Sequence, residues 1–288
     1  MSKKLKVAII GTGNIGTDLL IKIQRSSLLE CVCFVGRNIN SPGIAKAISM
    51  GVKISDKSIE AILEDIDNID LLFDATSAKD ALYHWELLKD TKVQVIDLTP
   101  AKIGIICVPS INLNDVLKSK NINMITCAGQ ASIPMAYTLS KTHPDIDYIE
   151  IVVSSASVSA GPATRSNIEE FLDTTQKGLK QFANVSKAKV ILNLNSVIPY
   201  INMQITIYAN ISNPNMELIS TEMYKMAEQI NKYVPGYSLV VPPTFENGRF
   251  VVMIKVVGLG DYLPTFAGNL DIINCAAIAV AEHISIHK

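Results

Sequence analysis

Four apolar residues, Val7-Ala8-Ile9-Ile10, run straight into Gly11-Thr12-Gly13-Asn14-Ile15-Gly16, and a helix-patterned stretch continues from Thr17 to Ile23. Strand, tight turn and helix in that order constrain this chain more than any other feature. In a G-x-G-x-x-G turn the first glycine permits the reversal, the second lets a ligand reach the backbone, and the third lets helix and strand pack closely. The free N–H groups at the helix start, at the positive end of its dipole, then face whatever occupies the turn. Standing at the head of a strand–helix series, the pattern predicts the pyrophosphate-binding turn of a dinucleotide cofactor. Gly11, Thr12, Gly13, Asn14, Ile15 and Gly16 are the first candidate cofactor-binding residues; an ordinary tight turn is the bland alternative.

The series continues. Short apolar runs at residues 30–35, 71–73, 93–98 and 122–126 alternate with helix-compatible stretches at 14–25, 43–50, 58–63 and 79–88. Uninterrupted apolar strands separated by helices imply a parallel sheet covered on both faces. After Cys127 the rhythm changes to longer, alternating strands at 148–155, 187–193, 204–211 and 249–258, with helices at 167–182 and 217–233 between them. That order suggests a mostly antiparallel sheet with helices on one face. A last helix, 269–284, closes the chain. The expected fold class is α/β: a Rossmann-type parallel-sheet cofactor domain plus an α+β domain.

Composition narrows the function. The 26 Lys+Arg against 27 Asp+Glu give a net charge of −1, which argues against a nucleic-acid partner. A mean hydropathy of +0.27 raises the question of a membrane. The strongest span, residues 190–216, is charge-free but broken by six asparagines and two prolines, so it reads as buried β-structure. No signal-peptide core follows Lys3, Lys4 and Lys6. Five cysteines without a C-x-x-C pair argue against disulfides or structural zinc, and no metal site is expected. The expectation is a cytoplasmic globular protein.

Two positions carry open chemistry. The second strand ends in Val35-Gly36-Arg37-Asn38, without the acid that holds a ribose 2′-hydroxyl. Arg37 either faces a 2′-phosphate or is a solvated loop residue, which leaves NAD and NADP both open. Cys31, Cys33, Cys107 and Cys275 read as small buried hydrophobes. Cys127 differs: it follows a strand, and Ser132 and Pro134 predict a helix start just beyond it. A thiol near a positive helix end is expected to have a lowered pKa and act as a nucleophile. Of the four histidines, His84 lies on an early helix, and His283 and His287 lie at the C-terminus. His143 closes the helix after Cys127 and is too far along it to act as a base. A nicotinamide site and a cysteine nucleophile together suggest aldehyde oxidation through a thioester. Water, phosphate or another thiol are open as acyl acceptors.

Several segments resemble the acylating acetaldehyde dehydrogenases, partners of 4-hydroxy-2-oxovalerate aldolase in meta-cleavage degradation of aromatic compounds. They are residues 6–18, Phe73-Asp-Ala-Thr-Ser77, Ile96-Asp-Leu-Thr-Pro100, residues 124–134, 159–167 and 262–271. The resemblance implies that Cys127 is the acyl-thioester nucleophile, with NAD as cofactor and coenzyme A as co-substrate converting acetaldehyde, or a similar short aldehyde, to acetyl-CoA. It implies a second cofactor-contacting loop, Ser159, Ala160, Gly161, Pro162, Ala163, Thr164, Arg165, Ser166 and Asn167, and a late contact at Asn269. Without the resemblance Asn167 and Asn269 would read as helix caps, and Arg165 as a phosphate partner or a surface charge. The implied architecture is similar to glyceraldehyde-3-phosphate dehydrogenase: residues 1–126 plus 267–288 as the dinucleotide-binding domain, and 127–266 as the catalytic and oligomerisation domain of a homo-oligomer. One departure stands out. Some members carry an aspartate on the strand matching Met203–Tyr208, where this chain has none. An acyl-phosphate reductase of the semialdehyde dehydrogenase type and a non-catalytic dinucleotide-binding protein are the alternatives.

Overall fold

The computed structural model of the chain describes residues 4–161, 165 and 167–288. The described chain divides into two compact units, residues 1–124, 261–263 and 274–288 in the first, and 125–260 and 264–273 in the second.

The first unit holds a seven-stranded sheet in the order β3-β2-β1-β4-β5-β7-β6. Its strands are β1 (Leu5–Ile10), β2 (Leu29–Val35), β3 (Ile54–Ser55), β4 (Leu71–Asp74), β5 (Gln94–Asp97), β6 (Ile105–Ile106) and β7 (Asn121–Asn123), all paired in parallel. The crossovers are α1 (Asn14–Arg25), α2 (Pro42–Ser49), α3 (Ile59–Glu64), α4 (Ala78–Leu88) and the single turn α5 (Pro109–Asn112). Val7, Ala8, Ile9 and Ile10 are all fully buried, which explains a strand apolar on both faces. Ala8 and Ile10 pack with Cys33, Val35, Ile62, Leu72 and Leu88 on one side of the sheet. The order turns outward in both directions from β1 and β4, so the carboxyl ends of these strands form the crevice where such sheets bind ligands.

The second unit is a five-stranded sheet in the order β11-β12-β10-β8-β9. Its strands are β8 (Tyr148–Ala156), β9 (Lys187–Asn195), β10 (Met203–Asn210), β11 (Tyr237–Glu246) and β12 (Arg249–Val256). All pairs are antiparallel except β8 with β9, which the helix α7 (Ile168–Ala183) joins as a crossover. With α6 (Cys127–Thr142) and α8 (Met216–Asn231), α7 covers one face, burying Ile149, Ile151, Val153, Ile205, Ile207, Val252 and Ile254. Their alternate neighbours, Glu150, Val152, Thr206, Tyr208, Val251 and Met253, stay half-buried.

The segment 190–216 falls into β9, a loop and β10. The last helix, α9 (Gly268–His287), is long and apolar enough to cross a bilayer, but more than half of its apolar stretch is buried inside the protein, as in a core helix. Strand β11 has no counterpart in the sequence reading. Pro242 and Pro243 interrupt its pattern, and its pairing with β12 shifts register twice, which an edge strand tolerates.

Candidate active site

The glycine turn follows from sterics. Gly11 sits at φ +113°, and a side chain there would meet Ala75 O at 2.5 Å, where β4 leaves the sheet. A Cβ on Gly16 would lie 1.8 Å from Gly11 O, so α1 can press against the turn only with glycine there. Gly13 meets nothing within 4 Å: its space is open. It is the N-cap of α1 and supplies no side-chain cap, and the first turn of α1 carries no acid. An anion approaching Gly13 therefore finds helix N–H groups uncapped by a side chain. Thr12 is locked beneath, its Oγ1 taking a hydrogen bond from Ser41 Oγ at 3.0 Å.

Cys127 lies in the second unit and opens α6. Strand β7 stops at Asn123, and the helix begins at Cys127 itself, with its N-cap at Thr126, six residues before the expected cap at Ser132. Thr126 is the N-cap: its Oγ1 accepts from Gly129 N at 2.9 Å and bonds Thr175 Oγ1 of α7 at 2.7 Å. Thr175 in turn donates to Phe171 O at 2.7 Å. Ser132 is buried mid-helix and donates to Ala128 O, while Pro134 sits inside the helix. Ile125 is held at φ +57°, a costly conformation for a β-branched residue. Gly178 of α7 makes room for it; a Cβ there would lie 2.2 Å from Ile125 Cδ1. The turn that presents Cys127 is thus strained and pinned to α7.

The expected low thiol pKa is corrected here. Burial pushes the Cys127 thiol up to about 12, against the lowering effect of the Ala128 and Cys127 N–H groups. Desolvation outweighs the helix end. Cys33, Cys107 and Cys275 are buried as expected, whereas Cys31 and Cys127 are half-buried.

The second loop is organised by its own side chains. Ser159 Oγ donates to Ala156 O at 2.8 Å, and Asn269 Nδ2, in the first turn of α9, donates to Ser159 O at 3.3 Å. Asn269 is buried and its Oδ1 has no partner among the described residues. An orphaned buried acceptor is what a ligand amide would satisfy. Asn167 is the N-cap of α7 without a side-chain cap bond. Arg165 is exposed, and its guanidinium donates to Ala160 O, Ser157 O and Ser157 Oγ at 2.7–2.9 Å, tying the loop together. Pro162, Ala163, Thr164 and Ser166 lie outside the described residues.

Residues 127–264 match the family described as prokaryotic acetaldehyde dehydrogenase, dimerisation, and residues 6–119 match semialdehyde dehydrogenase, NAD binding domain. The chain belongs to the acetaldehyde dehydrogenase family. An acetaldehyde dehydrogenase of Pectobacterium atrosepticum is 54% identical over 287 residues, covering 99% of this chain and 97% of the relative. One from Spirochaeta aurantia is 50% identical, covering 98% and 95%. Membership makes the chain a nicotinamide-dependent aldehyde oxidoreductase. In fold it is similar to an aspartate semialdehyde dehydrogenase of Candida albicans solved with NADP, with a TM-score of 0.72 at 12% identity and 98% of each chain covered.

Two features of the first unit escaped the sequence reading. His84, buried on α4, bonds through Nδ1 to Asp74 Oδ2 at the end of β4, 2.7 Å away. Asp97, at the end of β5, accepts from Thr99 N and Asn123 Nδ2, and burial raises its carboxyl to about 7. The available signal was acids ending two adjacent strands, with a histidine ten residues after the first. Arg37 is paired, its Nη2 lying 3.5 Å from Asp80 Oδ2.

Proposed function

We propose that the chain is an acylating aldehyde dehydrogenase. It converts acetaldehyde or a similar short aldehyde, with NAD and coenzyme A, to acetyl-CoA through a thioester on Cys127. The carrying observation is Cys127 at the first position of α6, in a turn strained at Ile125 and pinned by Thr126 to α7. The Cys127 sulfur bonds the carbonyl carbon while the C=O π bond breaks and the thiol proton passes to the carbonyl oxygen, forming a thiohemiacetal; loss of that hydroxyl proton to solvent, with the hydride, leaves the thioester. A bound dinucleotide supplies the acceptor for that adduct's hydride. The acetyl thioester then passes to the coenzyme A thiol, which releases Cys127. With a thiol pushed up to about 12, its deprotonation is coupled to addition rather than completed beforehand. His143 cannot take the proton, because it caps the far end of α6, about 24 Å away at 1.5 Å per residue. Nor does β10 offer an acid.

Three of the four arginines are engaged, Arg25 with Asp261, Arg37 with Asp80 and Arg165 with its own loop. This favours a thiol acceptor over an acyl phosphate. The uncovered face of the second sheet, with Val152, Tyr208, Val251 and Met253 half-buried, supports self-association through that face. The resemblance extends the proposal to an aldolase that delivers the aldehyde in cytoplasmic catabolism of aromatic compounds, testable by co-purification.

The deciding assay is NADH formation from acetaldehyde, with and without coenzyme A, in the unmodified protein and Cys127→Ala. Turnover that needs coenzyme A and vanishes in the variant is expected. Undiminished turnover in Cys127→Ala would reject the nucleophile, and phosphate replacing coenzyme A would transfer the reading to an acyl-phosphate enzyme. NADH binding without turnover in the unmodified protein would leave a non-catalytic dinucleotide-binding protein.

A further inference from the structure

In a turn of this kind, the carboxylate that accepts from the adenosine ribose ordinarily ends the second strand. Here β2 ends at Val35 and leads into Gly36-Arg37-Asn38, which offers a cation instead. An unpaired arginine at that place suits a 2′-phosphate. Arg37, however, meets Asp80 across a cavity of about 390 Å³ lined also by Asp56, Lys57, Glu60, Thr76, Tyr83 and His84.

Asp80 is fixed from its own side. Ser77, the N-cap of α4, donates through Oγ to Asp80 Oδ2 at 2.9 Å and accepts from Asp80 N at 3.2 Å. That leaves Oδ1 with no partner among the described residues. Beside it the His84 ring is held by Asp74, so the wall of the cavity is rigid.

Charge decides what such a cavity accepts. Arg37 and Lys57 stand against Asp56, Glu60 and Asp80, and Lys57 is drawn toward Glu64 at 3.1 Å. A 2′-phosphate would bring about −1.5 to −2 charge into an already negative lining and would have to displace Asp80 from Arg37. A 2′-hydroxyl brings one donor, and Asp80 Oδ1 is an open acceptor.

Resting on the dinucleotide reading above, we propose that Asp80 on α4 takes the place of the missing β2 carboxylate, and that its pair with Arg37 makes the site select NAD over NADP. Asp80 and Arg37 are then the specificity-determining residues of the adenosine end, supplied by two different crossovers of the sheet.

The test is direct binding of NADH and NADPH to the full chain, read by energy transfer from Trp85, the sole tryptophan, to the reduced nicotinamide. The unmodified protein is expected to bind NADH at least about tenfold more tightly. Asp80→Asn, checked for folding by circular dichroism, is expected to shift the NADPH-to-NADH affinity ratio at least about tenfold toward NADPH. Adding Arg37→Ala should abolish that shift, and Arg37→Ala alone covers the case of a misfolded Asp80 variant by weakening NADPH further. Tight NADH binding with an unchanged ratio in Asp80→Asn would overturn this proposal alone. A chain that binds neither nucleotide would overturn the dinucleotide reading and this proposal with it.

Discussion

The turn after β1 and the turn before α6 both bring a helix N-terminus to the end of a strand, by opposite means. Around Gly11, Gly13 and Gly16 the chain removes side chains, and the N-terminus of α1 is left open to a ligand. Around Cys127 it adds them: Thr126 caps the helix, Ile125 is forced into a left-handed conformation, and α7 holds both. The same dipole serves different ends. In the open turn it is free to meet an anion. In the closed turn it is outweighed by burial, which leaves a neutral thiol rather than a standing thiolate.

The largest effect expected from this contrast concerns the thiol. With a pKa of about 12, alkylation of Cys127 by iodoacetamide should accelerate about tenfold per pH unit from pH 7 upward, following the thiolate fraction. A rate already level at pH 7 would mean that the helix end prevails over burial, and the two turns would be alike.

Next in size is Gly16→Ala, whose Cβ would collide with Gly11 O. Backbone cannot step aside as a side chain can, so a loss of about 3 kcal/mol, at the upper end for overpacking, is expected in urea unfolding, with weaker NADH binding. Unchanged stability would show that α1 has room to move.

Gly178→Ala acts on the other turn. It crowds Ile125, two residues before Cys127, without touching any of the three glycines of the nucleotide turn, and misplacement at a reacting group is costly. About tenfold lower kcat with unaltered NADH affinity is expected in paired kinetics and binding titrations; equal losses in both would dissolve the distinction between the turns.

Thr126→Val is the mildest. It removes the cap on Gly129 N and the partner of Thr175, a loss of about 1 kcal/mol in chemical denaturation. No loss would show that α7 alone positions Cys127.

The contrast also explains what was legible in the sequence. The open turn is specified by residues within one segment, so the glycines, β1 and α1 could be read directly. The closed turn is specified from 49 and 53 residues away, since Thr126 needs Thr175 to look like a cap and Ile125 needs Gly178 to look possible. Ser132 and Pro134 carried the stronger local start signal, and the helix cap was misplaced by six residues. The lowered thiol pKa failed for the same reason: a helix start is visible in a sequence, but desolvation by packed neighbours is not. Arg37 stood out in the sequence as a decision point, but its partner Asp80 sits 43 residues on, on another crossover, and so was not legible beside it. Strand β11 was missed because two prolines look like a loop until β12 is beside them.

The central claim is that Cys127 carries the acyl group. Mixing the protein with acetaldehyde and NAD, without coenzyme A, and mapping the adduct by peptide mass spectrometry tests it most directly. One acetyl group on the peptide bearing Cys127, released by adding coenzyme A, is the expected result. NADH formation with no acetyl group on Cys127, or with the acetyl group on another residue, would contradict it.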